Sequence, residues 1–281
     1  MTLAPNEDGP VVRLAAVEKS FTSRGEVLTA ALAGIDLEIR RGEFVSLIGP
    51  SGCGKSTLLR IIGDLTEPSA GEVMVNGKPA SAARRGREYG IVFQAPVLFD
   101  WRRVEDNVRL PLELLGMRRA EREERAHEML SLVELTDFAR HYPYQLSGGM
   151  QQRVAIARAL ALEPALLLMD EPFGALDEMT RERMNSEVLR IWEKTGTTIV
   201  FVTHSIPEAV FLSSRVVVMS HRPGRITRTV DVDLPRPRGV ETRENRRYFE
   251  LVTEIRHLLR GGGAEADVEA SVDQVSVEGI E

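Results

Sequence analysis

Three glycines, a lysine and three hydroxyls fall together in GPSGCGKST at residues 49–57, which fits the spacing G-x-x-x-x-G-K-[ST]. Residues of those types in that order hold phosphate. Gly49, Gly52 and Gly54 let the backbone close around an anion where a side chain would block the approach. The N–H groups of the loop, through Pro50, Ser51 and Cys53 to the start of the next helix, supply positive potential. Lys55 can reach the β and γ phosphates of a nucleotide, and the Ser56 hydroxyl, with Thr57 beside it, can ligate Mg2+. A carboxylate pair follows downstream in LLLMDE, where Asp170 ends an apolar run and Glu171 comes next. Asp170 is suited to the Mg2+ shell, and Glu171 to polarising an attacking water. A second glycine pair opens a helix-forming stretch in LSGGMQQRVAIARAL at 146–160. There Ser147, Gly148 and Gly149 offer a hydroxyl and unobstructed N–H groups, the makings of another anion site.

The elements around these groups determine whether they can act. FVSLI precedes the glycine loop and GKSTLLRIIGDL follows it, with apolar residues at helical spacing, so the loop lies between a strand and a helix. VVRLAAV, IDLEI and GEVMVNG are short apolar runs with strand character, and Asn76-Gly77 is a hairpin signal. GIVFQ at 90–94, ALLLMD at 165–170, TTIVFVTH at 197–204 and RVVVMS at 215–220 are further strands, with a helix over about 180–195. Near-continuous apolar strands alternating with helices predict a parallel sheet covered on both faces. Residues from about 105 to 160 are rich in Leu, Glu, Arg and Ala and predict an all-helical insertion. Prolines 235 and 237 mark a linker before an amphipathic helix carrying Tyr248, Val252, Ile255 and Leu259 on one side. The first ten residues form a loose lead, and the acidic, glycine-led segment 261–281 is expected to be mobile.

Composition narrows the function classes. The 281 residues carry a formal net charge of -6, which gives no bulk electrostatic reason to bind nucleic acid. The single cysteine, Cys53, excludes an internal disulfide and suits a reducing compartment. No apolar run approaches the roughly 20 residues that span a bilayer, so any membrane role runs through a partner.

The motifs together resemble the ABC ATPases. LSGGMQQR at 146–153 is similar to that family's signature, and Gln94, DEP at 170–172, GALD at 174–177 and His204 follow the family's order, with the resemblance covering about residues 11–225. The resemblance implies an α/β fold: a RecA-like P-loop core over about 11–230, with a small antiparallel β subdomain and an inserted helical subdomain near 95–160. It implies ATP and Mg2+ as cofactors, and a head-to-tail pair, as a homodimer or with a second ATPase subunit, in which Ser147, Gly148 and Gly149 cap the γ-phosphate bound to the other molecule. Gln94 would contact Mg2+ and the lytic water and sense the transport partner, His204 would bond the γ-phosphate, and Asp177 would shape the dimer seam. Phe21 falls where the family stacks an aromatic on adenine, although a core Phe would read the same way. Gly174 departs from the serine the family often has, which puts a hydroxyl contact there in doubt.

The segment 95–108, DEPFGALD and SHRPGRI are similar to importer ATPases for nitrate, aliphatic sulfonates and taurine. That branch implies a peripheral subunit at the cytoplasmic face of the cell membrane, docked on integral permease subunits and served indirectly by a solute-binding protein. Val97, Leu98, Phe99 and Trp101 would form the docking surface, or else cap the helical insertion. A soluble ABC ATPase of translation or DNA repair, and a cassette for another solute, importer or exporter, are the rival readings. The other histidines, 127, 141, 221 and 257, have no motif context.

Overall fold

The computed structural model describes residues 9–23 and 26–275; the side chains of 23, 26–28 and 262–275 lie outside the description. Ten strands form in chain order: β1 Val12–Ser23, β2 Glu26–Ile39, β3 Phe44–Ile48, β4 Ala70–Val75, β5 Lys78–Pro79, β6 Tyr89–Val92, β7 Leu166–Asp170, β8 Thr198–Val202, β9 Arg215–Met219 and β10 Ile226–Asp231. The helices are α1 Lys55–Ile62, α2 Ala80–Arg85, α3 Val104–Leu114, α4 Arg119–Leu132, α5 Gly148–Leu160, α6 Glu178–Thr195, α7 Ile206–Leu212, α8 Val240–Glu244 and α9 Arg246–Val275.

The central sheet has the order β10-β9-β3-β8-β7-β6, parallel except for β10, which pairs antiparallel with β9 at one edge. Its inner strands are buried along their whole length because both faces are covered. Phe44 and Ile48 of β3, Leu167 and Met169 of β7, and Ile199 and Phe201 of β8 pack into one core with the helical region and α9. Val45 and Leu47, Leu166 and Leu168, and Val200 and Val202 pack into a second core with α1 and the smaller sheet. A strand with period-two side chains reads as continuously apolar only when each face meets its own core.

The smaller sheet is antiparallel, in the order β2-β1-β4-β5. Asn76 and Gly77, both at positive φ, turn β4 into β5 as their sequence predicts. The helical stretch resolves into α3, α4 and α5, joined by short 3-10 turns at Thr136–Phe138 and Pro143–Gln145. Tyr248, Val252 and Ile255 of α9 are buried, with Leu259 packed beside them, so the predicted amphipathic face is the one that docks.

Four features differ from the sequence reading. VVRLAAV and IDLEI are parts of strands of 12 and 14 residues, whose exposed polar positions broke the apolar pattern. The short helix α2 follows Pro79 unannounced, on an Ala-rich turn. Residues 226–231, where the sequence gives no strand signal, form the edge strand β10; only its Val230 is buried, so it lacks the apolar run of an inner strand. Finally, α9 continues past the glycines at 261–263 to Val275, so the stretch expected to be mobile has helical backbone that far. Ala and Glu at 264–266 and 269–270 are helix formers and offset the glycine cost. Residues 1–8 of the expected lead and 276–281 of the acidic end lie outside the described residues.

Candidate active site

The glycine loop begins where β3 ends and closes on α1, at the carboxyl edge of the parallel strands, where open α/β sheets bind ligands. Gly54 caps α1 at φ 104, with no side-chain cap. A Cβ there would lie 2.7 Å from Leu32 Cδ2 and 2.9 Å from the Ala31 carbonyl, so both space and dihedral demand glycine. The first N–H groups of α1 are therefore left open towards the loop. Cys53 is buried against Gly49, and burial pushes its thiol pKa up, which disfavours the thiolate.

Lys55 is only 5% exposed. Its Nζ donates to the Gly49 carbonyl at 2.8 Å and the Pro50 carbonyl at 2.9 Å. Among the described residues no carboxylate pairs with it, so a buried cation faces the loop with only neutral acceptors. An anion entering the loop would replace weak partners with a strong one.

The Ser56 hydroxyl donates to Asp170 Oδ1 at 2.6 Å, and Arg60 lies 3.9 Å from Asp170 Oδ2. Asp170 is the last residue of β7 and nearly buried. A hydroxyl and a carboxylate in contact are hard oxygen donors that fit Mg2+, which commonly takes one or two protein oxygens and completes its shell with water and substrate phosphates. Among the described residues no cluster of three or more His, Cys, Asp or Glu could hold a metal alone.

Glu171 follows at φ 44, an uncommon conformation for a residue with a side chain, held by its N–H donating to the Val202 carbonyl at 3.0 Å. The Glu171 carboxylate lies 3.3 Å from Nδ1 of His204, two residues beyond the end of β8. The order β3-β8-β7 thus brings the loop, the imidazole and both carboxylates to adjacent strand ends.

These groups line a recess of about 720 Å³. Ser51, Gly52, Gly54, Lys55, Ser56 and Thr57 form its floor, and Glu171 and His204 one side. Phe21, Thr29 and Ala31 of the small sheet form another. Phe21 is 44% exposed with Lys19 Nζ 5.2 Å above its ring, so it is no core residue. Arg222 also lines the recess, and sequence motifs gave no sign of it.

Other sequence-selected residues lie apart from this recess. Gln94 is exposed and not on its wall; it sits by Gly174, whose added Cβ would be 3.2 Å from Gln94 Nε2 and 3.7 Å from Glu171 Oε2. A serine there would crowd Gln94. Ser147 is the N-cap of α5, its hydroxyl accepting from the Met150 N–H at 3.4 Å. Gly149 packs against Thr180 and Met184 of α6, and Gly148 against Leu176. Ser147 and Gly149 line a separate recess of about 270 Å³ with Arg153 and Arg183. Asp177 caps α6 beside it, accepting from the Thr180 N–H at 3.0 Å, and that bond holds its carboxyl below the usual range.

The segment after Gln94 is divided. Val97 and Trp101 are exposed, with the Phe99 and Trp101 rings 4.9 Å apart, whereas Leu98 packs against the core. His127, His221 and His257 are exposed and His141 packs against Phe138.

A parallel α/β sheet whose first central strand opens through a glycine-lysine loop, with an acid pair ending the strand two places along, defines a P-loop nucleoside-triphosphate hydrolase. Residues 32–174 match the ABC transporter family, to which the chain belongs. It is 50% identical to an uncharacterized ABC transporter ATP-binding protein of Methanocaldococcus jannaschii, over 82% of this chain and 84% of that one. Identity is 46% to a taurine import ATP-binding protein of Rhizobium johnstonii, over 85% and 92% of the two chains. It is also 46% to a nitrate import ATP-binding protein of Synechocystis, over 85% and 90%. An ATP-binding cassette solved as a post-hydrolysis dimer bound to ADP and Pi superposes with TM-score 0.68 at 39% identity, covering 81% of this chain and 99% of that one. The protein is an ABC-type ATP hydrolase.

Proposed function

We propose that this chain is the ATP-hydrolysing subunit of an importer for a small anionic solute of the nitrate, sulfonate or taurine type. The reading rests on one observation above all: the Lys55 loop, Ser56 with its bond to Asp170, and the Glu171–His204 pair come together at one recess, lined by Lys55, Ser56, Glu171 and His204, while the Ser147 corner opens on another. A hydrolytic site and a separate anion-binding helix start in one chain suit a second copy, whose corner covers the first copy's phosphates.

In that assembly Lys55 and the α1 N–H groups neutralise the β and γ phosphates, and Phe21 stacks on adenine. Ser56 and Asp170 would hold Mg2+, which would supply positive charge against the phosphates. Glu171 polarises the attacking water and His204 bonds the γ-phosphate oxygen, their mutual contact aligning both. Gln94, beside Glu171 and followed by the exposed Val97 and Trp101, links the recess to a membrane permease. Binding of ATP closes the pair and hydrolysis releases it, at the cytoplasmic face of the membrane. Among the described residues no helix is long and apolar enough to cross a bilayer.

Co-purification with the permease and a solute-binding protein tests this. Nitrate, taurine or an alkanesulfonate should stimulate hydrolysis in vesicles. Stimulation only by a solute with no acidic group would overturn the anion assignment.

A further inference from the structure

The loop between β9 and β10 carries Arg222 to the nucleotide recess from the side opposite the catalytic carboxylates in the chain order of the sheet. Its Nε donates to the Gly52 carbonyl at 3.1 Å, a bond between residues 170 apart in sequence. The backbone around it is fitted to the glycine loop. A Cβ at Gly224 would lie 2.0 Å from the Cys53 carbonyl oxygen, so no larger residue allows this approach. Gly224 and Ala33 also exchange backbone bonds with the small sheet, Gly224 N–H to the Ala31 carbonyl at 2.9 Å and Ala33 N–H to the Gly224 carbonyl at 3.1 Å. The arginine is thereby held at the rim by its own loop, the glycine loop and β2.

Only one edge of the guanidinium is used. A Cβ built on Gly52 would meet Arg222 Nη2 at 3.3 Å, so that nitrogen lies against the phosphate loop itself. Among the described residues no acceptor is bonded to either terminal nitrogen, and no carboxylate pairs with the side chain. Arg222 therefore brings a full, sterically braced positive charge with open N–H donors into a recess that already holds Lys55. A planar fork of donors suits phosphate oxygens better than any other group of a nucleotide.

We propose that Arg222 is a nucleotide-binding residue: its Nε braces Gly52 while its terminal nitrogens contact the phosphate chain of ATP. This rests on the nucleotide reading of the Lys55 recess. The bracing and the charge are separable. Glutamine keeps a donor for the Gly52 carbonyl and loses the charge, and lysine keeps the charge.

The test is a titration of the full chain with a fluorescent ATP analogue, with Mg2+, comparing Arg222→Gln, Arg222→Lys and Lys55→Ala with the parent. Arg222 is exposed, so each of its variants should keep the parent's Tm. Arg222→Gln is expected to weaken binding about 10-fold and Arg222→Lys by no more than about 3-fold, the gap narrowing at high salt. Parent-like affinity in Arg222→Gln would overturn the proposal by reducing Arg222 to a brace. So would equal weakening in both Arg222 variants, because a charge there would then contribute nothing. Loss of binding in Lys55→Ala with parent-like Arg222→Gln leaves the recess assignment standing and removes only Arg222. Parent-like Lys55→Ala would instead sink the recess assignment.

Discussion

Two glycine-bearing helix starts, the loop before α1 and the corner before α5, carry the same backbone chemistry and differ in what surrounds them. The first is supplied with a buried ammonium, a hydroxyl on a carboxylate, a second carboxylate on an imidazole and an aromatic rim. The second has only its own N–H groups and Ser147, already capping the helix, above a recess with Arg153 and Arg183. An anion site becomes a hydrolytic one through neighbours that strand order delivers. The first start lies on the central strand, flanked by β8 and β9. The second is carried on α5, whose opening glycine Gly149 packs against Thr180 and Met184 of α6.

If that asymmetry is functional, damage at the two places should differ in kind. The largest effect is expected from Lys55→Ala, which should lower ATP hydrolysis about 1000-fold and weaken nucleotide binding, read by phosphate release and titration. Glu171→Gln should cost about 300-fold in hydrolysis, with ATP affinity kept, because only the group acting on water is removed. That variant should also run as a dimer in saturating ATP and Mg2+, and a monomer on size exclusion would contradict the shared-site scheme.

A milder lesion is expected at the second start. Ser147→Ala should lower hydrolysis about 20-fold while a single chain still binds nucleotide as the parent does. The lost cap costs only about 1 kcal/mol of stability, so unfolding does not explain a larger effect. Mixing Lys55→Ala with Ser147→Ala sharpens the contrast. Random pairing leaves one intact shared site in half the dimers, so activity should recover to about one quarter of the parent value. No recovery would place both helix starts in the same molecule's site.

The smallest effect concerns Glu208, which lines a small recess with Glu171 and His204. It is buried, accepts a hydrogen bond from the Thr203 hydroxyl with Oε2, and leaves Oε1 without a partner among the described residues. Burial pushes its carboxyl up, against the weaker opposing pull of Thr203, Arg181 and His204. The folded chain therefore holds this proton to higher pH than the unfolded one, whose value is near 4.5, and stability from this group is lost as pH rises through the folded value. Glu208→Gln should raise Tm at neutral pH, with the gain shrinking as pH falls towards 4.5, followed by thermal melts across pH.

Much of the first helix start was legible because its chemistry is local. Gly49 to Thr57 form one turn between a strand and a helix, and a turn is dictated by residues next to one another. Asp170, Glu171 and His204 were legible as strand ends for the same reason. Arg222 and Glu208 were not, since HRPGRI gives no sign of reaching Gly52 and a lone Glu in a helix gives no sign of burial. The edge strand β10 escaped because one buried residue in six makes no apolar period.

The sequence by itself determined which turns can wrap an anion, which runs must be buried strands, and which family these motifs belong to. Glycine dihedrals, apolar runs and caps depend on near neighbours along the chain. Only the tertiary structure decided that Lys55, Glu171, His204 and Arg222 line one recess and that Ser147 faces another. That convergence depends on the order of β3, β8, β7 and β9 in the sheet, where β3 pairs with β8 and β9, both more than a hundred residues further along the chain.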